Sequence, residues 1–86
     1  MNITDVRIRL KESGKLKAIA SITIDDAFVV HDIRVSEGEK GLFVAMPNKK
    51  YSDGEYRDVA HPIKKEIRDM LQDAILTKYC EVLRSR

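Results

Sequence analysis

Apolar and polar residues alternate along the first part of the chain in the manner of β-strands. Residues 4–10 carry apolar side chains at every second position with charged side chains between them, which predicts a half-buried strand. Residues 16–24 continue the alternation, and Ile19 adds an apolar side chain to the second face, as expected of a central strand. A polar turn at residues 11–15 separates the two runs, so the pattern predicts a β-hairpin.

Two more strands are predicted after an acidic turn at residues 25–26. Residues 28–35 are apolar on both faces, which predicts burial on both sides and places Phe28 in the core. Residues 42–46 form a short apolar strand that brings Phe43 into the same core. The loop between the two strands contains two glycines and suits a second hairpin.

The remainder of the chain changes from strand-like to helical spacing. Its polar first part contains the turn signal Asp53-Gly54, followed by a short edge strand around Tyr56. A helix is predicted over about residues 62–84, with Pro62 as a first helical residue that can dispense with its N–H. Apolar residues recur there at three- and four-residue spacing. They are Ile63, Ile67, Met70, Leu71, Ala74, Ile75, Val82 and Leu83.

These elements predict a single α+β domain over residues 1–86. An antiparallel sheet of four to five strands, at about residues 2–59, is followed by a C-terminal amphipathic helix packed on one face. The composition agrees with a globular domain, since 43% of the 86 residues are hydrophobic and 35% are charged. A domain of this size buries only ~60–65% of its unfolded surface, which favours a flat binding module over an enzyme with a deep cleft.

Composition also indicates where the protein acts. No apolar run approaches the ~18–20 residues that cross a bilayer, so we expect no membrane partner. The first residues lack the apolar core of a secretory signal. Cys80 is the single cysteine, which excludes an internal disulfide, and we expect it to be a small buried or half-buried helix residue. A cytoplasmic location is the resulting prediction.

The two histidines are the candidates for catalysis. His31 lies beside Asp32, and His61 follows Asp58 by three residues, so either pair could supply an oriented general base. The plainer interpretation makes His31 a packed strand residue and His61 a contact at the helix start. No serine lies in a nucleophile motif, no spacing matches a zinc site, and no glycine loop suits phosphate. We therefore predict no enzyme, no metal and no cofactor, and rank a small hydrolase last.

The net charge of +2 resides entirely in residues 49–86, which hold nine basic and seven acidic residues. Lys64 and Lys65 oppose the helix macrodipole, whereas the N–H groups of a helix start attract anions. Tyr51 and Tyr56 flank the basic loop and either stack on bases or pack the loop down. Charge alone still favours an ordinary solvated helix face. The six basic residues where the polar loop meets the helix are Lys49, Lys50, Arg57, Lys64, Lys65 and Arg68.

Four segments of the chain resemble the SpoVG (stage V sporulation protein G) family of septation proteins. They are residues 3–9 (ITDVRIR), 25–35 (DDAFVVHDIRV), 41–47 (GLFVAMP) and 54–63 (GEYRDVAHPI), in that order. The resemblance covers residues 2 to 76, and the tail from residue 78 onward departs from it.

The resemblance implies a small bacterial cytoplasmic regulator that forms dimers and binds DNA and, in some members, RNA. Such proteins are linked to septum formation, cell division, sporulation and the expression of virulence or capsule genes. The segment after His61-Pro62 is implicated in nucleic-acid contact, and Lys64, Lys65 and Arg68 occupy it here.

We therefore predict a homodimer that places the six basic residues against nucleic-acid phosphates. Arg57 or Arg68 would reach a base edge, because a guanidinium can pair with guanine. Nucleic acid, and no small-molecule substrate, is the expected partner. The alternative is a protein-interaction module that acts on division or regulatory partners by adding a strand at an exposed sheet edge.

Overall fold

The computed structural model describes residues 1–85, without the side chain of residue 12, and is built on a four-stranded antiparallel sheet in the order β1-β2-β3-β4. The strands are β1 (Ile3–Ser13), β2 (Leu16–Ile24), β3 (Phe28–Gly38) and β4 (Gly41–Ala45). A separate hairpin of β5 (Asn48–Lys50) and β6 (Tyr56–Asp58) precedes the helix α1 (Lys65–Ser85). The predicted α+β class is confirmed. Within residues 1–85, no helical stretch combines the length and apolar character that spanning a bilayer requires.

The core lies between one face of the sheet and α1. Ala20 lies opposite Ile8 on one neighbouring strand and Ile33 on the other, so the alternating apolar positions converge on one face. The helical core residues recur at four-residue intervals and therefore share one face of α1. Cys80 lies outside that face and is exposed, which corrects the prediction that it is at least half-buried. The buried residues are Ala18, Ala20, Ile22, Ile33, Val35, Met46, Leu71, Ile75 and Tyr79.

Several apolar residues that were expected in the core are exposed. Phe28 is 64% exposed and Phe43 is 46% exposed, so the prediction that both are core residues is wrong. His31, expected to be a packed strand residue, is exposed as well. Phe43 shares the sheet face of Arg34 and Ala45, which α1 does not cover. Phe28 is opposite Ile24 on the covered face, but it stands at the first position of β3, outside the core cluster.

Strand β3 contains a bulge beside its exposed histidine. His31 and Asp32 of β3 together face the single residue Ser21 of β2, because the register shifts there. Asp32 has a φ of +63°, in the left-handed region that aspartate adopts more readily than most side chains do. The bulge therefore displays two polar side chains on the sheet instead of continuing the apolar alternation.

Helix α1 begins at Lys65, three residues later than the predicted start at Pro62. The carbonyl of Lys64 accepts the first helical hydrogen bond, at 3.1 Å from the amide of Arg68. Ile63, predicted on the apolar face of the helix, is 90% exposed. Most helix stability in proteins comes from packing an apolar face against the rest of the molecule. Because Ile63 packs against nothing, it does not stabilise an additional helical turn before Lys65.

Candidate nucleic-acid interface

Three of the six predicted basic residues lie on the hairpin of β5 and β6. Lys49 is directly opposite Arg57, so their side chains share one face of the hairpin, while Lys50 is opposite Tyr56. Like charges at directly opposite positions destabilise a strand pair unless another group compensates them. The hairpin therefore needs a counter-charge near Lys49 and Arg57.

The turn of the hairpin supplies that counter-charge to Arg57. Its guanidinium donates a hydrogen bond of 2.6 Å to the carboxylate of Asp53. It also lies over the ring of Tyr51, 5.0 Å from the centroid, in a cation–π arrangement. Asp53 in addition accepts a hydrogen bond of 3.0 Å from the amide of Glu55, within the turn. Arg57 thus holds the turn in shape, and its charge is partly neutralised.

The other three predicted residues lie at the start of α1. Lys65 donates a hydrogen bond of 2.8 Å to Asp69, one turn further along the helix. This hydrogen bond, together with the negative charge of Asp69, raises the pKa of Lys65 above its ordinary value. Lys64 and Arg68 are exposed, and the backbone hydrogen bond between them aligns them across the first turn. Counting only the described residues as partners, the helix start therefore presents two cations without an acidic partner, Lys64 and Arg68, and one cation, Lys65, that is held by its own helix.

The structure divides the predicted basic residues into two groups. We call Lys49, Lys50 and Arg57 the hairpin cations, and Lys64, Lys65 and Arg68 the helix-start cations. Neither β5 nor β6 makes an extensive contact with α1 in the described part of the chain. A segment of six residues, 59–64, connects the groups, and its first amide binds the carbonyl of Pro47 at 2.7 Å.

Within the part of the chain that the structure describes, four of the six cations are not paired with acids. Among the described residues, no carboxylate oxygen lies within 4.0 Å of Lys49, Lys50, Lys64 or Arg68. All four are exposed. These four side chains are consequently the ones that can exchange solvent counterions for an external anion.

The histidines do not make the His–Asp pairs that a general base would need within the described residues. His61 places its Nδ1 atom 3.1 Å from the carbonyl of Pro62, at the approach to the helix. His31 stands exposed on the bulge of β3. The same residues 1–85 contain no group of three histidine, cysteine or acidic side chains that could hold a metal ion.

A third basic surface was missed by the sequence reasoning. It consists of Arg7, Arg9 and Lys11 on β1 and Arg34 on β3, which lie on the sheet face opposite α1. The signal was the basic residue at every second position of β1. Alternation alone predicts a polar face, however, and the strand register is needed to join Arg34 to it.

An apolar groove of about 490 Å³ lies between the sheet and the start of α1. Ile24 and Met46 line it from the sheet side, and Ile63 and Ile67 line it from the helix side. Because Ile63 is almost fully exposed at its rim, the groove offers apolar contact to a partner.

Similar proteins are found in several bacteria. The SpoVG family profile matches residues 1–81 of the chain. A Lachnospira eligens protein is 65% identical over 80 residues, which cover 92% of this chain and 91% of that protein. A Clostridioides difficile protein is 58% identical over 84 residues, covering 96% and 91%. A Staphylococcus aureus protein is 54% identical over 83 residues, covering 95% and 83%. All three are provisionally named septation protein SpoVG. Since the match extends over nearly the whole sequence, the chain belongs to the SpoVG family.

Proposed function

We propose that this chain is a dimeric, cytoplasmic regulator that binds DNA, and also RNA, through the hairpin cations and the helix-start cations. The observation that carries the proposal is the set of four exposed cations, Lys49, Lys50, Lys64 and Arg68, that lack a carboxylate within 4.0 Å among the described residues. Such side chains bind phosphate favourably because each contact releases a condensed counterion. The septation role in the names of the relatives is then an effect of gene regulation.

The start of α1 supports the same ligand chemistry. The first amides of a helix have no partner within the helix, and its dipole makes that end favourable for an anion. Lys64 and Arg68 stand at this end, and no carboxylate of residues 1–85 that the structure describes pairs with either. A phosphate placed there receives backbone and side-chain donors together.

The two arginines take different roles in this proposal. Arg57 is already engaged by Asp53 and Tyr51, so it serves mainly to hold the hairpin in shape. Arg68 is free, and its guanidinium is the better candidate for a base edge in a groove. Lys49 and Lys50 supply phosphate contacts that do not depend on sequence.

The test is duplex binding by the variant Lys64→Ala/Lys65→Ala/Arg68→Ala at several salt concentrations. Four phosphate contacts in each protomer make eight in the dimer, which give a slope of about −7 in log affinity against log salt for duplex DNA. Removing the contacts of Lys64 and Arg68 from both protomers should make that slope shallower by about 3.6. A variant that folds normally and binds duplex DNA with unchanged affinity would contradict the proposal.

The chain offers a control for this variant that removes two positive charges, one fewer than the variant itself. Lys15 and Lys40 lie in the β1–β2 and β3–β4 turns, at the opposite end of the sheet from the helix start. Lys15→Ala/Lys40→Ala also lowers the net charge, but it touches neither group of cations. We expect this control to retain duplex affinity and most of the salt slope.

The dimer in this proposal is supported by the apolar groove at the helix start. Ile63 is 90% exposed at the rim of the groove, and it would be buried if each protomer inserted it into the groove of the other. Under two-fold symmetry, the same contact buries Ile63 of both protomers. The axis would also duplicate the helix-start cations, which lie next to Ile63 in the sequence.

A second function is favoured by the edge strand β4. Its side chains Leu42 and Phe43 are 37% and 46% exposed, and β4 ends the sheet at one side. A division or regulatory protein could add a strand along this edge, using main-chain hydrogen bonds for affinity. Binding of that kind would depend weakly on salt, so the salt series separates the two functions.

A further inference from the structure

The sheet face opposite α1 carries a row of side chains that crosses all four strands. Arg9 pairs with Ile19, Ile19 pairs with Arg34, and Arg34 pairs with Ala45. Directly opposite residues point to the same side of a sheet, so the two guanidiniums flank Ile19 on the face without a helix. Since they lie two strands apart, their backbones are separated by about 9–10 Å. Lys11 continues this basic surface along β1.

The positive charge on this face is largely uncompensated. Arg7 is paired with Asp5 at 3.0 Å. Within the described part of the chain, Arg9, Lys11 and Arg34 have no carboxylate oxygen within 4.0 Å. Asp32 lines the same surface and contributes a negative charge to it. Like charges so close together favour a polyanion as the occupant, and they disfavour a second copy of the same face.

A groove of about 560 Å³ runs beside this row, between the sheet and the base of the β5–β6 hairpin. Its polar side chains include Arg9, His31 and Arg34, and its apolar floor includes Ile19, Val29 and Val59. The β3 bulge brings His31 to this groove by giving β3 an extra residue opposite β2. Apolar surface bordered by guanidinium and imidazole groups suits an unpaired base, which stacks on such planes.

We propose that the face opposite α1 is a second nucleic-acid site that takes a single strand, with its phosphates on Arg9, Lys11 and Arg34 and a base in the groove against Ile19. The groove falls in the range of about 300–1,000 Å³ that small ligands occupy, so it admits a splayed base but no base-paired duplex. The hairpin cations and the helix-start cations take duplexes, whether DNA or RNA, and this separate site takes unpaired strands, which goes beyond the proposed function.

The test uses the full chain with a labelled oligouridine, a labelled DNA duplex and anionic phospholipid vesicles, each at several salt concentrations. In Arg9→Gln/Arg34→Gln, two contacts are lost, so affinity for oligouridine should fall about 20-fold at about 0.1 M salt. Duplex affinity should stay within about twofold of wild type, because these residues are outside the duplex site. Lys64→Ala/Arg68→Ala should give the reverse pattern.

Asp32→Asn is the complementary variant, because it should increase single-strand binding. Asparagine tolerates the positive φ at this position, and the change removes the carboxylate from the groove. We expect about twofold tighter binding of oligouridine, from relief of repulsion at ~8 Å in water-like surroundings. Unfolding by denaturant should confirm that each variant is folded.

Three results would overturn the second site. One is an unchanged affinity of folded Arg9→Gln/Arg34→Gln for oligouridine. Another is a parallel loss of oligouridine and duplex binding in the same variant, which would place both ligands at one site. The third is loss of vesicle binding alone, which would identify a lipid surface as the ligand. Failure of duplex binding in wild type contradicts the proposed function, but it leaves the oligouridine result to be judged by itself.

Discussion

Lys65 and Asp69 form an ion pair of 2.8 Å across the first turn of α1, so one of the helix-start cations is held by the helix itself. An ion pair of the same kind occurs on the hairpin, where the Arg57 guanidinium lies 2.6 Å from the Asp53 carboxylate. In both places an acid four residues away in the sequence competes with an external phosphate for the cation. Under the proposed function, these acids would therefore lower the affinity for nucleic acid that the basic residues provide.

Replacing the helical acid should strengthen duplex binding. Asp69→Asn keeps the shape of the side chain, removes its charge and frees Lys65 for a phosphate. We expect tighter duplex binding and a salt slope steeper by about two units, one for each protomer of the dimer, measured by titration at several salt concentrations. Asp73→Asn is the matched control, since it makes the same charge change on the same helix at a position away from Lys65. Equal gains in both variants would mean that only net charge matters.

The ion pair also predicts a pH dependence at the alkaline end. Asp69 raises the folded-state pKa of Lys65 above 10.5, its ordinary value. The stabilisation from the pair is therefore fully present below pH 10.5 and is lost as the pH rises through the folded-state pKa. An NMR titration of Lys65 should give a higher midpoint in wild type than in Asp69→Asn. Identical midpoints would show that the pair does not form in solution.

The helix depends on Ile75 for its attachment to the sheet. Ile75 is fully buried, so Ile75→Ala removes apolar contacts and leaves a cavity, lowering the free energy of unfolding by about 2–5 kcal/mol. Val59→Ala is the control, because Val59 is 64% exposed and should change stability by less than about 0.5 kcal/mol. Denaturant unfolding of both variants measures the difference. A loss below about 1 kcal/mol for Ile75→Ala would mean that α1 is not packed on the sheet as described.

The proposed dimer contact can be broken at Ile63. Ile63→Asp would place a charge in the apolar groove of the partner, so the dimer dissociation constant should rise by about tenfold or more. Phe43→Asp introduces the same charge at an exposed apolar residue on β4 and serves as the control. Sedimentation equilibrium over a range of protein concentrations measures both. If Phe43→Asp dissociates the dimer and Ile63→Asp does not, the interface lies at the sheet edge instead.

Much of the fold could be predicted from the local pattern. The two-residue alternation around Ile8 and Ala20 predicts β1, β2 and their hairpin, because the period of a strand is visible in its immediate neighbours along the chain. The four-residue recurrence of Leu71, Ile75 and Tyr79 likewise predicts one buried face on α1, although the predicted apolar set omits Tyr79. The start of the helix was less predictable, because Ile63 fits the period and yet has nothing to pack against.

The candidate site was predictable only as a set of residues. The basic residues around the loop and the helix start are visible in the sequence, as is the reason that they could bind phosphate. The pairing of Arg57 with Asp53, and the alignment of Arg9 with Arg34 across Ile19, depend on turn geometry and strand register. Neither relationship can be predicted from the spacing of the residues in the sequence, because the path of the backbone decides how far apart the two side chains lie.

The sequence by itself therefore determined the strands, the existence of the helix, the family and the residues that could carry phosphate contacts, since all of these follow from local periodicity or local motifs. Tertiary structure alone decided which face of the sheet is covered. With one described helix, a single layer protects Ile33 and Val35, while Val29 and Phe43 on the opposite face remain in contact with water. Whether a strand residue is buried depends on an element from a distant part of the chain that packs over it. The alternation of apolar and polar residues in the strand does not predict which face that element covers.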